Sequence, residues 1–509
     1  MPILYICLGK HSIFFFSKKI KAYRISDMIN KIVFDLDGTL WTTEDAYIES
    51  YKRIAREFSF TPESDDVVRE CLGVKLDQVV LKLFSRCPDK EAMGRIAVQY
   101  VSEYCAKNPK FCSKDIVGLF EELSKKYDLY IMSNCPRAFL DGFMVISGLT
   151  PFVKGTFSIS EGNKEQHLDK ITNGFKDRAL FVGDSQFDYD EIPNHKCIQF
   201  CYAKYGYIAC NNYEYHIDAL DDILPLVKQI ERKERMIDHD DYQIYSSHDS
   251  NVTVINFKDY SMFGFIEYSN KEDFDNVIKQ IKAECKNKLI GPINGKTWYT
   301  YRLVLDNFDW KLYPDCLSNK EINDVLENNG FKLFHSYSST LSKINEKIWK
   351  IAKQVKLPKE YSSSIVTGED CFNYLDEMYD IASEVFEKAD HYRSINLEDF
   401  KEIYVEAFKS INPVLMAISK NNKLVAFIFC YEDPEKRFFV SKTIGIRKSE
   451  RNRFVLLKLL DIGYTFVSKL GYDTLLHHFQ NDRTKVMESL SAGYEIRNKH
   501  FGLYKYENK

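Results

Sequence analysis

Asp35 and Asp37, two residues apart with Gly38 directly behind them, are the side chains of this sequence best arranged to do chemistry. Residues i and i+2 of a strand point the same way, so both carboxylates would converge on one spot. Two close carboxylates repel unless a cation or a shared proton stabilises them, which reads as a hard-metal site of the Mg²⁺ type. One of the pair could also attack phosphorus, forming an aspartyl-phosphate that splits one hard displacement into two easier ones. The competing reading is a capped turn, because Asp, Gly and Thr also suit a strand-to-loop junction.

Further groups follow in a useful order. Ser133 and Asn134 offer a hydroxyl and amides for a phosphoryl oxygen. Lys164 offers a cation to bridge nucleophile and phosphate, with Lys154 and Lys170 close enough in sequence to compete for that place. Gly183-Asp184-Ser185, with Asp188 and Asp190 beyond, offers the remaining metal carboxylates. The elements that must position them are short apolar runs: Ile32 to Phe34 before the first pair, Leu129 to Met132 before Ser133, and Ala179 to Val182 before Asp184. Such runs read as buried strands of a parallel sheet, whose carboxyl ends are where open α/β folds place their sites.

The ordered set Asp35-Leu-Asp37-Gly38-Thr39, Ser133, Lys164 and Gly183-Asp184 with Asp188 resembles the haloacid dehalogenase (HAD) superfamily of phosphohydrolases, over residues 28 to about 230. The resemblance implies a Rossmann-like core with a parallel sheet and a helical cap. It makes Asp35 the nucleophile and Asp37 the general acid and base. It also implies Mg²⁺ held by Asp35, the main-chain carbonyl of Asp37 and Asp184, with Asp188 supporting that shell, and a small phosphorylated metabolite as substrate.

At 509 residues, the chain exceeds what one hydrophobic core organises. Hydrophobic residues at 45% and charged residues at 28% are ordinary for a globular protein, and a net charge of −4 gives no basic footprint for nucleic acid. The 13 cysteines are scattered, odd in number and without a CxxC pair, which points to free thiols in a reducing, cytoplasmic setting. No apolar run approaches the ~20 residues that span a bilayer.

Residues 1–27 carry apolar patches and a later basic cluster, Lys18-Lys19-Ile20-Lys21, in the wrong order for a secretory signal. They are expected to be an appended leader or a misassigned start before Met28, with a weak membrane-surface contact as the alternative. Residues 28–232 form the hydrolase domain, with helical periodicity from about 42 to 110 placing the cap between the first and second core strands. In that stretch Pro62 is read as opening a second helix and Gly73 as ending it. Residues 233–250, rich in charge around Asp238-His-Asp-Asp241, read as a solvated linker.

Beyond it, strand and helix patterns alternate in two stretches, assigned as 251–348 and 349–509. Gly291-Pro292-Ile-Asn294, Tyr301-Arg302 and Asn329-Gly330-Phe331 in the first resemble the GNAT acyltransferase superfamily. So do Lys442-Thr443-Ile-Gly-Ile446, Gly471-Tyr472, Asn481, Ser491-Ala-Gly493-Tyr494 and Leu503-Tyr504 in the second. A tandem GNAT-like α/β (α+β) region implies acetyl-CoA or another acyl-CoA, with Arg451, Arg453 and Asn481 as its contacts. The loop expected to cradle pyrophosphate reads Arg451-Asn-Arg453-Phe454-Val455-Leu456, without the glycines that let a backbone approach an anion, and Ser489 stands where a general-acid tyrosine is expected. The readings for this half are therefore an acyltransferase, a glyceryl-transfer partner whose substrate the HAD domain prepares, and a non-catalytic binding module.

Overall fold

The structure, a computed structural model, describes residues 28–507 except 73–75, 86, 88 and 482–490. The leader expected over residues 1–27, the helix end at Gly73, the helix over Lys485 to Leu490 and the side chain of Arg453 lie outside the described residues.

The first sheet has six strands: β1 (Lys31–Phe34), β2 (Asp128–Ser133), β3 (Val153–Ser158), β4 (Ala179–Gly183), β5 (Ile198–Ala203) and β6 (Tyr215–Ile217). Their order is β3-β2-β1-β4-β5-β6, and every pairing is parallel. Alternation along the strands divides the apolar residues between two cores, as a sheet covered on both faces requires. Ile32, Phe34, Leu180 and Val182 enter one core and Val33, Ala179 and Phe181 the other.

Of the five described helices between β1 and β2, the first four are α1 (Glu44–Glu57), α2 (Asp65–Arg69), α3 (Leu76–Leu83) and α4 (Lys90–Lys107). They pack on one another through a core of their own that includes Ile48, Ile54, Val68, Phe84 and Met93. The segment from Pro62 stays irregular until Ser64 caps α2 through a hydrogen bond to the Val67 amide, so the helix begins later than the proline suggested. Helices α5 (Ile116–Ser124), α6 (Arg137–Ser147), α7 (Lys164–Ile171), α8 (Gln186–Asp190) and α9 (Ile223–Ile237) complete this half. The chain builds β1, β2 and β3 outward on one side and then crosses to put β4 on the other side of β1. The topological switch point therefore lies between the carboxyl ends of β1 and β4.

The expected linker is not a linker. Helix α9 runs to Ile237, Asp238 closes it in the left-handed conformation, and β7 (Tyr242–Ser247) follows at once with Tyr242 and Ile244 buried. Arg393 then fastens this corner, donating to the carbonyls of Ile237 and Gly295 at 2.8 Å and of Asp238 at 2.7 Å.

The remaining elements are β8 (Ser250–Asn256), β9 (Ser261–Glu267), α10 (Lys271–Glu284), β10 (Leu289–Gly291), β11 (Leu303–Val304), α11 (Lys320–Asn328), β12 (Lys332–Lys343), α12 (Glu346–Ala352) and β13 (Tyr361–Thr367). They continue with α13 (Leu375–Phe386), α14 (Leu397–Phe408), β14 (Pro413–Lys420), β15 (Lys423–Glu432), β16 (Phe439–Ile446), α15 (Arg453–Lys469), β17 (Thr474–Asn481) and β18 (Glu495–Tyr506). Together with β7 they form one twelve-stranded mixed sheet ordered β13-β14-β15-β16-β17-β12-β18-β10-β9-β8-β7, with β11 on β18. Only β9 with β10 and β16 with β17 run parallel.

The division expected at residue 348 is not a division in this sheet. β12, from the first stretch, pairs with β17, and β18, from the end of the chain, pairs with β10 and β12. Strand partners so far apart in sequence leave no local signal, because register is set by tertiary packing rather than by either strand alone. No helix among the described residues is long and apolar enough to cross a membrane.

Candidate active site

Asp35 follows β1, and its amide donates to the Val182 carbonyl at 2.8 Å, which fixes it against the end of β4. Asp184 follows β4. Asp188 stands in α8, held by a reciprocal cap: the Ser185 amide and hydroxyl donate to its Oδ2 at 3.1 and 2.6 Å, and its own amide donates to Ser185 Oγ at 3.2 Å. Carboxylate oxygens of Asp35, Asp184 and Asp188 lie within 4.8 Å of one another, and all three residues are buried.

Lys164 is the first residue of α7, whose capping box pairs Asn163 with Gln166. From there its Nζ donates to Asp35 Oδ1 at 2.7 Å and also to Asp188. The competing lysines are elsewhere: Lys154 is an exposed partner of Asp128 at 3.8 Å, and Lys170 sits over the Phe157 ring. Ser133 is buried at the end of β2 with its hydroxyl accepting from the Cys135 amide at 3.1 Å, and Ser133 and Asn134 line the same cavity as the acids. Asp190 turns away to the surface, where it accepts from Gln186.

This is an acid-rich place to bury. Asp35, Asp37, Asp184 and Asp188 face a single ammonium, that of Lys164. Burial, then the repulsion of Asp188, pushes Asp184 up to about 8. Burial also raises Asp35 well above the carboxylate range, against the attraction of Lys164. Burial alone would lower Lys164, but Asp188 and Asp35 hold it charged. Asp37 is pushed up to about 6, chiefly by burial, with Thr43 opposing, and its Oδ1 is buried with no partner. A general acid is best placed when its pKa lies near the working pH. Three converging oxygens with an uncompensated negative charge are the donor set of a hard divalent cation, so these residues fit Mg²⁺. The Asp37 carboxylate is not among the three convergent groups.

Two glycines give the site its shape. A Cβ on Gly38, which has φ +81°, would lie 2.2 Å from Asp184 Oδ2, and one on Gly206 would lie 2.1 Å from Asp184 Cβ. The next residue, Tyr207, had no signal in the sequence beyond lying between β5 and β6. Its amide donates to Asp184 Oδ2 at 2.8 Å, while its hydroxyl accepts from the Thr43 and Glu44 amides at 2.5 and 3.1 Å. Those amides open α1, whose own N-cap side chain makes no capping bond. One residue thus joins Asp184 to the first helix of the cap. Tyr207→Phe should cost about 0.5–2 kcal/mol, the range for losing a helix N-cap, and loosen the cap more than the core. Proteolysis confined to residues 44–107 in the variant would show this; equal sensitivity in both proteins would contradict it.

The cap roofs the acids. A cavity of about 80 Å³ is walled by Asp35, Asp37, Ser133 and Lys164 below and by Tyr47, Tyr51, Val68 and Phe84 above.

In the C-terminal half, Arg451 and Asn481, two of the three residues expected to bind acyl-CoA, do not come together. Arg451 is exposed, and its Nε reaches only the Ile446 carbonyl at 3.4 Å, whereas Asn481 lines a cavity that Arg451 does not.

Residues 32–191 match the family model described as haloacid dehalogenase-like hydrolase. No curated protein matches the chain. Solved structures that it resembles include a haloacid dehalogenase-like family hydrolase from Streptococcus pneumoniae, with 20% identity, 39% of this chain and 98% of that one covered, and a TM-score of 0.32. A HAD-superfamily hydrolase of subfamily IA from Geobacter sulfurreducens gives 18%, 39%, 96% and 0.32. A protein described as a predicted phosphoglycolate phosphatase from Haemophilus somnus gives 18%, 39%, 97% and 0.34. The N-terminal half therefore carries a haloacid dehalogenase-like hydrolase domain.

Proposed function

We propose that residues 28–232 are a Mg²⁺-dependent phosphatase acting on a small phosphate monoester through an aspartyl-phosphate at Asp35. The observation that carries this is the convergence of Asp35, Asp184 and Asp188 at the switch point, with Lys164 Nζ 2.7 Å from Asp35. Mg²⁺, held by Asp35, Asp184 and the Asp37 carbonyl with Asp188 behind them, would supply charge neutralisation for the transferring phosphoryl group.

The chain's own groups do the rest. Lys164 draws Asp35 toward its ionised form and aims it, and Ser133 and Asn134 receive phosphoryl oxygens. Asp35 attacks phosphorus and the P–O bond to the leaving group breaks, while protonated Asp37 gives its proton to the departing oxygen. Asp37, now ionised, takes a proton from the water that hydrolyses the aspartyl-phosphate, which returns both residues to their starting states. The cap excludes bulk water during the first step. Phosphate release from a panel of small esters should require Mg²⁺ and vanish with chelation. Release that continues in excess chelator would contradict the metal assignment.

For residues 251–509 we propose a tandem GNAT-like fold retained as a binding module, in preference to an acyltransferase. Supporting the fold, β7, β8 and β9, and again β14, β15 and β16, are antiparallel neighbours, each set followed by a helix, a strand parallel to its third member (β10, β17) and later a long strand (β12, β18), with β13 added on β14. The two final strands, β12 and β18, are exchanged. Against acyl transfer, the amino terminus of α15, where a pyrophosphate would sit, is closed by Asn452, whose side chain accepts from the Val455 amide at 3.0 Å. Acetyl-CoA binding with one site per chain would reverse this preference.

A further inference from the structure

β16 and β17 are paired in parallel only from Phe439–Leu475 to Ser441–His477; beyond that they separate. The gap opens into a cavity of about 970 Å³, at the large end of the range for small-molecule sites. Elements of both stretches wall it: Trp298, Tyr301 and Tyr337 from the first, Phe400, Tyr404 and Phe479 from the second.

Besides the exposed Lys388, two cations face this aromatic space without a carboxylate. Arg302 is 5% exposed, and its guanidinium lies 3.7 Å from the Tyr301 ring, 4.1 Å from that of Tyr337 and 4.4 Å from that of Phe479. Its Nη2 donates to the Tyr301 hydroxyl and the Tyr337 side chain is a further neutral partner, but Nε and Nη1 are buried without a hydrogen bond of their own. Lys442 stands on β16 with the Tyr404 and Phe408 rings 5.4 and 5.6 Å from its Nζ, and it feels the like charge of Arg302. No salt bridge joins either to a carboxylate among the described residues. The acids on the same wall are engaged elsewhere: Asp315 accepts from Lys499 at 2.7 Å, Glu406 pairs with Arg232, and Asp390 lies 3.4 Å from His335 Nε2.

Burial drives Arg302 down to about 10 and Lys442 down to about 8, so each cation stands at a cost that an anion would remove. His477, also on this wall and 4% exposed, has Nδ1 buried without a partner. A buried donor left unmade costs more than a formed bond contributes, and here several are left at one place.

We infer that this cavity is a binding site for a small organic carboxylate with an apolar body, its anion received by Arg302 and Lys442 and its body by the aromatic walls. Phosphate is the weaker fit. No glycine is among the described residues that line the cavity, whereas phosphate sites are commonly built where glycines let backbone amides approach the anion. The inference deepens the binding-module reading of residues 251–509 and stands apart from the hydrolase.

Calorimetric titration of the full chain with phenylacetate, indole-3-acetate and hexanoate, each against its own neutral amide, tests it, with inorganic phosphate and acetyl-CoA as further arms. The expected result is one site for at least one carboxylate, with its amide roughly tenfold weaker or more. Lys442→Met should lose that preference while leaving Mg²⁺-dependent phosphate release unchanged, and Arg302→Met should do the same where it folds. Equal binding of acid and amide, carboxylate binding undiminished in Lys442→Met, binding of inorganic phosphate alone, or silence from all three carboxylates would overturn the inference. Acetyl-CoA binding with the carboxylates silent would overturn the binding-module reading as well, whereas silence in every arm removes only the carboxylate site.

Discussion

Asp35→Asn is expected to lower phosphate release by roughly four orders of magnitude or more while leaving the melting temperature close to that of the parent, because the amide keeps the shape but not the nucleophile. The position is well suited to such a clean effect. Asp35 is held by its main-chain amide on Val182, which the substitution does not touch, and its carboxylate accepts a hydrogen bond from Lys164. Removing the Asp35 charge also relieves its repulsion by Asp188 and Asp184, which offsets the weakened contact with Lys164. Steady-state phosphate release and thermal unfolding on the same preparation check both halves. Residual turnover within a hundredfold of the parent would place the nucleophile elsewhere.

Lys164→Met should damage both stability and turnover. Its ammonium is 3% exposed and touches Asp35 and Asp188. Removing one partner of a buried ion pair leaves the others uncompensated and costs about 3–5 kcal/mol. The loss should be visible as a lower melting temperature in the presence of chelator. Mg²⁺ should restore part of it, because any ligand that binds the folded acids alone stabilises the fold by mass action. Turnover should stay low even with saturating Mg²⁺, since Asp35 has lost the cation that aims it at phosphorus. A variant whose melting temperature is indifferent to Mg²⁺ would count against the acids as the metal site.

The linked behaviour of these residues explains why so much of this site was legible. Asp35, Ser133, Lys164 and Asp184 each lie at the end of a short apolar strand or the start of a helix, so local sequence both identifies and aims them. Tyr207 was not legible, because its work depends on contact with Thr43, 164 residues earlier in the chain. Nor was β7, whose polar run of Gln243, Ser246 and Ser247 hides a strand satisfied by its pairing with β8.

The exchange of β12 and β18 left no trace in either strand's own sequence, since both patterns would suit either place in the sheet. Tyr301-Arg302 stood out as a motif, but its meaning as an unpaired cation depends on Lys442 and His477 arriving from a distant stretch. Local chemistry announced the first site; only the assembled sheet reveals the second.

The central claim is a covalent phosphoryl group on Asp35. Acid quenching during turnover of the best ester, followed by borohydride reduction and peptide mass spectrometry, tests it most directly, because borohydride converts an acyl phosphate to an alcohol and leaves a free carboxylate alone. The account predicts reduction at position 35, dependent on Mg²⁺ and on substrate, and none at Asp37, Asp184 or Asp188. Brisk phosphate release with an unmodified Asp35 would contradict it.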